Sequence, residues 1–463
     1  MTKGKSLLSR FFGWTAGVFF HVERQGGSVP EGPLVVVANH PNSLMDPLVL
    51  IRVLDRQTRP LAKAPLFDQK ILGYILRAMG GLPVYRKQDL PGEMGKNQGT
   101  FDAAVKSLQD GEAIQIYPEG LSHSEASLAP LRTGTARIAF QAEEGTGWTS
   151  GLQILPVGLT YIRKTFFRGR VVALVGDPIP VADWKEAHAS DERDAVRDLT
   201  ERIRDGLEHV TLSAESPRER ELIEVAERVY ARELGLVKWR ERETLGARLP
   251  RLKLFARGAA WLRTEDPARY RRLAYRIRAY ERAAGILGAG EAGVPPEYLL
   301  GATLRYALVE GGILLLEAPF AAVGILCWLP VYILSSPIVR RIRPQYEALS
   351  TFKFSASALL ALLTLSGWTF LAWILGGWTW ALGVGSILVP LGLLAIVWHE
   401  RWIRMEEDVK LFLRVAFKRD RRERLGEMRR GLVKEFDRIG KRMEAGDRAS
   451  AQKPNPEGLI TPP

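Results

Sequence analysis

Hydrophobic and polar positions alternate in three different ways along this chain. Over residues 26–212, short apolar runs are separated by stretches of helical spacing. Residues 34–38, 113–117, 154–159 and 171–175 read as buried strands, and 59–63 and 81–85 as extended segments. Residues 47–54, 66–79, 101–108 and 135–143 carry apolar side chains at helical intervals. Strands interleaved with helices predict an α/β domain with a largely covered sheet. Over 213–300 the pattern is helical and basic, with no strand-like run. Residues 301–400 are dominated by apolar stretches, 401–448 read as a basic amphipathic helix, and 449–463, rich in Pro, Ser and Gly, as a disordered tail.

The apolar stretches are long enough to matter. Residues 354–398 form 45 consecutive positions without Asp, Glu, Lys or Arg. One membrane crossing needs about 20 apolar residues, so the pattern predicts two spans, 354–375 and 379–398, with the break at Gly376-Gly377. Residues 318–339 are also uncharged but hold Pro319, Pro330 and Pro337, and are expected to span or to dip in and return. Arg340, Arg341, Arg343 and Lys353 precede the long run, and Arg401 and Arg404 follow it. Basic residues at both ends and none at the tip place both ends on the cytoplasmic side, which predicts an integral membrane protein with its α/β domain there. The N-terminal residues 1–25, with Leu7, Phe11, Phe12, Trp14, Phe19 and Phe20 after Lys3 and Lys5, are expected to form an interfacial helix rather than a cleaved signal, since no small-residue cleavage site precedes His21.

Charge agrees with the membrane reading. The chain has 463 residues and a net charge of +13. Segment 216–300 has 18 Lys and Arg against 12 Asp and Glu, and segment 401–448 has 16 against 10. Nearly all the surplus therefore flanks the apolar stretches, which points to anionic phospholipid as the partner rather than to nucleic acid. A lone cysteine, Cys327, excludes an internal disulfide framework and any multi-cysteine metal site.

Candidate chemistry gathers after two of the strands. His40 follows the 34–38 strand in Asn39-His40-Pro41-Asn42-Ser43-Leu44-Met45-Asp46-Pro47. Strand ends in α/β folds are where ligand sites collect. Asp46 before Pro47 reads as a helix N-cap, one short loop from the imidazole. A His–Asp pair of this kind lets the carboxylate fix the tautomer while the ring takes a proton. The second cluster, Tyr117-Pro118-Glu119-Gly120-Leu121-Ser122-His123-Ser124, follows the 113–117 strand. Gly120-Leu121-Ser122-His123-Ser124 approaches the serine-hydrolase elbow, but Ser124 stands where its second glycine belongs. No P-loop and no His-Glu-x-x-His zinc pattern occurs.

Over residues 34–160 these positions resemble the glycerolipid acyltransferases, which acylate glycerol-3-phosphate and lysophosphatidic acid. Asn39-His40 with Asp46 looks like the family's first, catalytic block. Gly81-Leu82-Pro83-Val84-Tyr85-Arg86 is similar to the second, Tyr117-Pro118-Glu119-Gly120 to the third, and Ile154-Leu155-Pro156-Val157-Gly158 to the fourth. The resemblance implies acyl transfer from acyl-CoA or acyl carrier protein, as co-substrate, to a hydroxyl of glycerol-3-phosphate or 1-acylglycerol-3-phosphate, with no cofactor and no metal. His40 would be the general base and Asp46 its support. Arg86, Glu119, Gly120 and Ser122 would seat the acceptor, and Pro156 would shape the acyl or thioester surface. Two departures stand out. Five residues separate His40 from Asp46 where four are usual, a form similar to the eukaryotic-type glycerol-3-phosphate and dihydroxyacetone-phosphate acyltransferases. Leu121-Ser122-His123 stands where Thr-Arg-Ser is frequent, which makes Arg86, and more loosely Arg132, the phosphate candidates. The rival readings are an acyltransferase or transacylase on another lysophospholipid, and a non-catalytic basic protein of the membrane surface.

Overall fold

The computed structural model describes residues 4–85, 97–236, 243–286, 300–416 and 419–451. The chain divides into two compact units, one of residues 1–213, 244–249 and 334–359, the other of 214–243, 250–333 and 360–463.

The first unit is an α/β domain. Its elements run α1 (Leu7–Phe19), β1 (Phe20–Gly26), β2 (Leu34–Ala38), α2 (Met45–Val53), β3 (Arg59–Lys63), α3 (Lys70–Ala78), β4 (Leu82–Val84), α4 (Asn97–Gln109), β5 (Ala113–Ile116), α5 (Gly134–Glu144), β6 (Gln153–Ile162), β7 (Gly169–Val175), β8 (Ile179–Pro180), α6 (Lys185–Ser190) and α7 (Glu192–Val210). The sheet order is β1-β7-β6-β2-β5-β3-β4, with β8 beside β6. All neighbours are parallel except the β6–β7 and β6–β8 pairs.

β2 lies at the centre, and all five of its residues are buried. Its apolar run is continuous because both faces are covered. Val35 and Val37 join a core with Leu108, Phe140 and Leu199 from α4, α5 and α7. Leu34, Val36 and Ala38 join the opposite core with Ala16, Leu50 and Val49 from α1 and α2. Alternate side chains of one strand thus hold two helical layers to the sheet.

The N-terminal expectation needs correction. Residues 20–26 are not the end of an interfacial helix but an edge strand in parallel register with β7, Phe20 opposite Gly169 and Gly26 opposite Val175. α1 packs on α2 through Ser9, Gly13 and Ala16, and a Cβ at Gly13 would stand 3.3 Å from the Arg52 backbone. The α/β unit therefore begins with α1, not at residue 26.

The second unit is helical: α8 (Pro217–Glu233), most of α9 (Leu245–Glu265), α10 (Pro267–Ile286), α11 (Leu300–Cys327), the start of α12 (Leu329–Ile342), most of α13 (Leu349–Ala416) and α14 (Arg419–Ala451). Leu222, Val225 and Val229 of α8, Ile277 and Tyr280 of α10, and Leu425, Leu432 and Val433 of α14 share one core. The two basic segments are thus partners in a bundle: each turns an apolar stripe to the other. Residues 449–451, expected in a disordered tail, end α14; residues 452–463 lie outside the described residues.

Among the described residues two helices are long and apolar enough to cross a membrane, Leu304–Cys327 and Tyr346–Lys410. The first overlaps the expected 318–339 segment over residues 318–327 and begins earlier. α11 runs through Pro319 to Cys327 and breaks at Trp328, after which Pro330 occupies the first turn of α12, where its missing N–H costs no helical bond. Glu310 and Glu317 interrupt the apolar run in sequence; both meet Arg401 of α13, Glu317 at 2.9 Å. The second candidate is 65 residues, about 98 Å at 1.5 Å per residue, far more than one crossing. It is divided at Gly377, where φ is +78°. Indole N–H groups of Trp328 and Trp398 donate to the carbonyls of Leu388 and Leu314, joining α11 to the second half of α13.

Candidate active site

Central parallel strands β2 and β5 end side by side, Val37 opposite Ile116. The loops that leave them carry the chemistry. Asn39 extends the β2 pairing beyond the strand: its Nδ2 donates to Leu159 O at 3.0 Å, and its Oδ1 accepts from Leu159 N–H at 2.7 Å. This side-chain copy of a ladder residue fixes the peptide on which His40 sits.

Asp46 does not cap α2 as the sequence suggested. The N-cap is Leu44, and Asp46 lies inside the first turn with its carboxylate wholly buried. Its Oδ2 accepts from Asn42 N–H at 2.7 Å and meets His40 Nδ1 at 2.9 Å, while Oδ1 accepts from the Tyr161 hydroxyl at 2.8 Å. A carboxylate can only accept, so Nδ1 of His40 is the donor and Nε2 carries the lone pair. Nε2 makes no hydrogen bond among the described residues, and the ring is 14% exposed. Tyr117 stacks on the imidazole, centroids 4.0 Å apart and planes 18° apart. Burial, and after it the nearby Asp46 charge, pushes the Tyr117 and Tyr161 phenols well above their ordinary pKa. Both therefore stay neutral, and Tyr161 remains a donor to Asp46.

The loop after β5 grips His40 from both sides of its peptide. Glu119 is buried; its Oε1 accepts from His40 N–H at 3.2 Å, and its Oε2 from Ala129 N–H at 2.7 Å and from His123 Nε2. His40 O accepts from Ser122 Oγ at 2.8 Å and His123 N–H at 3.1 Å. Ser122 Oγ also accepts from Ser43 N–H at 3.0 Å, which holds Ser43 at φ +44°. The hydrogen-bonding capacity of Glu119 and Ser122 is thus directed at the protein, and both hold the imidazole-bearing loop.

Gly120 has a reason to be glycine. It turns at φ +73°, and a Cβ there would stand 2.4 Å from Arg132 Nε. The exposed Arg132 side chain lies over this bare backbone, and its own N–H is fixed to Pro118 O at 2.8 Å. Arg132 is therefore a cation beside the third block. Arg86 lies outside the described residues; Tyr85 before it is clasped by Asn97 through 2.9 and 2.6 Å bonds.

Pro156 is placed differently from the expectation of a substrate surface. It is buried in β6 opposite Val37, and a Cβ at Gly206 of α7 would meet its ring at 2.8 Å. Its carbonyl accepts from Gly176 N–H at 2.9 Å, and its missing N–H falls in the gap between β8, paired to Ile154, and β7, paired from Val157. A proline survives in this strand because no partner asks it for a donor. Gly158 continues the theme: a Cβ would collide with Val210 O at 2.0 Å. The fourth block seats α7 on the sheet.

Sequence reasoning missed Tyr117 as a stacking partner, Tyr161 and Lys164. Lys164 Nζ donates to Pro41 O and Ser124 Oγ, both at 2.7 Å. No local pattern marks these residues, since each reaches the site from a strand end distant in sequence. Among the described residues no cluster of metal-binding side chains occurs.

Residues 20–160 match a family model described as Acyltransferase. An uncharacterised acyltransferase of Schizosaccharomyces pombe is 26% identical over 301 residues, 46% of this chain and 44% of its own length. Glycerol-3-phosphate O-acyltransferase 2 of Saccharomyces cerevisiae is 32% identical over 135 residues, 29% of this chain and 18% of that protein. A 1-acyl-sn-glycerol-3-phosphate acyltransferase of Bacillus subtilis is 24% identical over 183 residues, 38% of this chain and 83% of that one. This chain thus spans less than half the length of the two yeast relatives.

Proposed function

We propose that the protein, whose residues 20–160 match the Acyltransferase family model, moves a fatty acyl group from acyl-CoA or acyl carrier protein to a hydroxyl of glycerol-3-phosphate or 1-acylglycerol-3-phosphate. The observation that carries this reading is the His40–Asp46 pair at the end of β2, with Nε2 free. Nε2 takes the proton of the acceptor hydroxyl as its oxygen attacks the thioester carbon. Asp46 holds the resulting imidazolium through Nδ1–H. The tetrahedral intermediate then collapses, the C–S bond breaks, and the imidazolium returns its proton to the leaving thiolate. The sequence of the α/β unit holds no cysteine, which supports direct transfer over an acyl-enzyme.

Arg132, with Arg86 as a second cation, supplies the charge for the acceptor phosphate; a guanidinium offers a planar fork to two oxygens. Glu119 and Ser122 act as positioning residues. The apolar helices anchor the protein in the bilayer with the α/β unit on the cytoplasmic side, a reading supported by the basic residues that flank them.

The test is thioester consumption by membranes bearing the protein, with labelled acyl-CoA and either acceptor. His40→Ala is expected to abolish transfer while the protein stays in the membrane fraction. Undiminished transfer by that variant would sink the mechanism, and the acceptor that drives consumption identifies the substrate.

A further inference from the structure

We infer that the β6–β7 hairpin tip, residues 163–168, is a second membrane-contact element, and that it sets the candidate active site at the depth of the lipid headgroups. The tip shows two adjacent phenylalanines to solvent, Phe166 and Phe167, 51% and 46% exposed. Cations surround them: the Arg163 guanidinium lies 4.6 Å from the Phe166 ring centre and Lys353 Nζ 5.5 Å from it. Aromatic rings paired with basic side chains suit the boundary between hydrocarbon and anionic headgroups.

The hairpin is tied to the root of the long apolar helix. Lys353 Nζ donates to Thr165 O at 2.7 Å, and Ser350 Oγ to Lys164 O at 2.5 Å. Phe354, where the uncharged run begins, packs edge-on to Phe19 at 5.8 Å, and Phe167 meets the same ring at 5.6 Å. If residues 354–398 lie in hydrocarbon, Phe354 marks its boundary, and residues bonded to Lys353 lie within a few ångströms of it.

The hairpin adjoins the end of α1. Arg168 donates to Gly17 O and Val18 O at 3.1 and 3.2 Å, fixing the hairpin to the helix end. Leu7, Phe11 and Trp14 recur at helical spacing and are exposed, while Ser9, Gly13 and Ala16 are buried. Lys164, which bonds Pro41 O beside His40, links the hairpin to the site.

The inference rests on the membrane reading of residues 346–410, and the experiment separates the two. In the full chain, Cys327→Ser removes the lone thiol, and single cysteines at Phe167, Leu371 and Asp110 carry an environment-sensitive fluorophore. The proteins are reconstituted in phosphatidylcholine–phosphatidylglycerol vesicles with or without lipids spin-labelled just below the headgroup. The inference expects the Phe167→Cys probe to emit at shorter wavelength and lose most of its intensity to the shallow label, with the Asp110→Cys probe unaffected. A Leu371→Cys probe that reports hydrocarbon beside a Phe167→Cys probe that reports water overturns the hairpin alone. A water-exposed Leu371→Cys probe overturns both. An apolar but unquenched Phe167→Cys signal means a protein surface covers the tip, and also defeats the proposal.

Discussion

Two histidine–carboxylate pairs stand on neighbouring loops of this molecule, and their difference is instructive. His40 with Asp46 and His123 with Glu119 share their chemistry, and both rings are 14–15% exposed. In the first, Nδ1 faces the carboxylate and Nε2 is left without a partner among the described residues. In the second the ring is turned over: Nε2 meets Glu119, and Nδ1 is buried with no acceptor. A free ring nitrogen can exchange a proton with a substrate only where a substrate can reach it. In the proposed reaction the first pair transfers the proton, and the second holds the first, since Glu119 also binds His40 N–H.

This comparison breaks if the two pairs respond alike to substitution. The largest expected effect is at His40: His40→Ala lowers kcat by about 10²–10⁴-fold, as loss of a general base does, measured as labelled acyl transfer. Asp46→Asn comes next. It cannot accept from the His40, Asn42 and Tyr161 donors together, and kcat is expected to fall about 10²-fold, the lower end of what a general base contributes. Arg132→Ala sharpens the contrast between base and phosphate seat. It is expected to raise KM for the phosphorylated acceptor about 10-fold or more, the worth of a charge-assisted hydrogen bond, with kcat little changed.

His123→Ala should cost less than about 10-fold in kcat while lowering stability by about 1–3 kcal/mol, because a buried Glu119 oxygen loses a partner. His123→Gln, which keeps a donor near Nε2, should restore both. A His123→Ala loss as large as that of His40→Ala would overturn the division of labour.

The smallest effect concerns Tyr117, whose hydroxyl is buried without a partner. Its raised phenol pKa means the folded chain keeps a proton that the unfolded chain loses above about pH 10. Stability is full below that pH and falls as pH rises beyond it, by about 1.4 kcal/mol per unit for each such group. Tyr117→Phe keeps the ring on His40, so it should leave neutral-pH stability unchanged or raised and make the alkaline fall shallower in thermal unfolding.

Much of the site was legible because its parts are short and local. His40, Asp46, Glu119, Gly120 and Ser122 follow buried apolar strands within single loops, and β2 and β5 bring those loops together. The roles were less legible than the places. Whether Glu119 faces a ligand or a peptide N–H depends on its partners at His40 and Ala129, of which His40 is 79 positions away. Pro156 was expected to shape the acyl or thioester surface through its resemblance to a fourth block, while its position in β6 packs it against α7. β1 escaped notice because an edge strand carries a weak alternation, and only its register with β7 makes it part of the sheet. The apolar segment before residue 328 is hidden in sequence by Glu317, whose charge is paired with Arg401 across the fold.

The sequence by itself determined the α/β alternation, the apolar helices with their break at Gly377, and the candidate base with its carboxylate, because these depend on periodicity, backbone freedom and neighbours within a loop. Only the tertiary structure decided which imidazole keeps a free nitrogen, which basic helices share a core, and which strand end Tyr161 and Lys164 reach. Those outcomes depend on contacts between segments tens to hundreds of residues apart, and a pattern local to the chain carries no information about them.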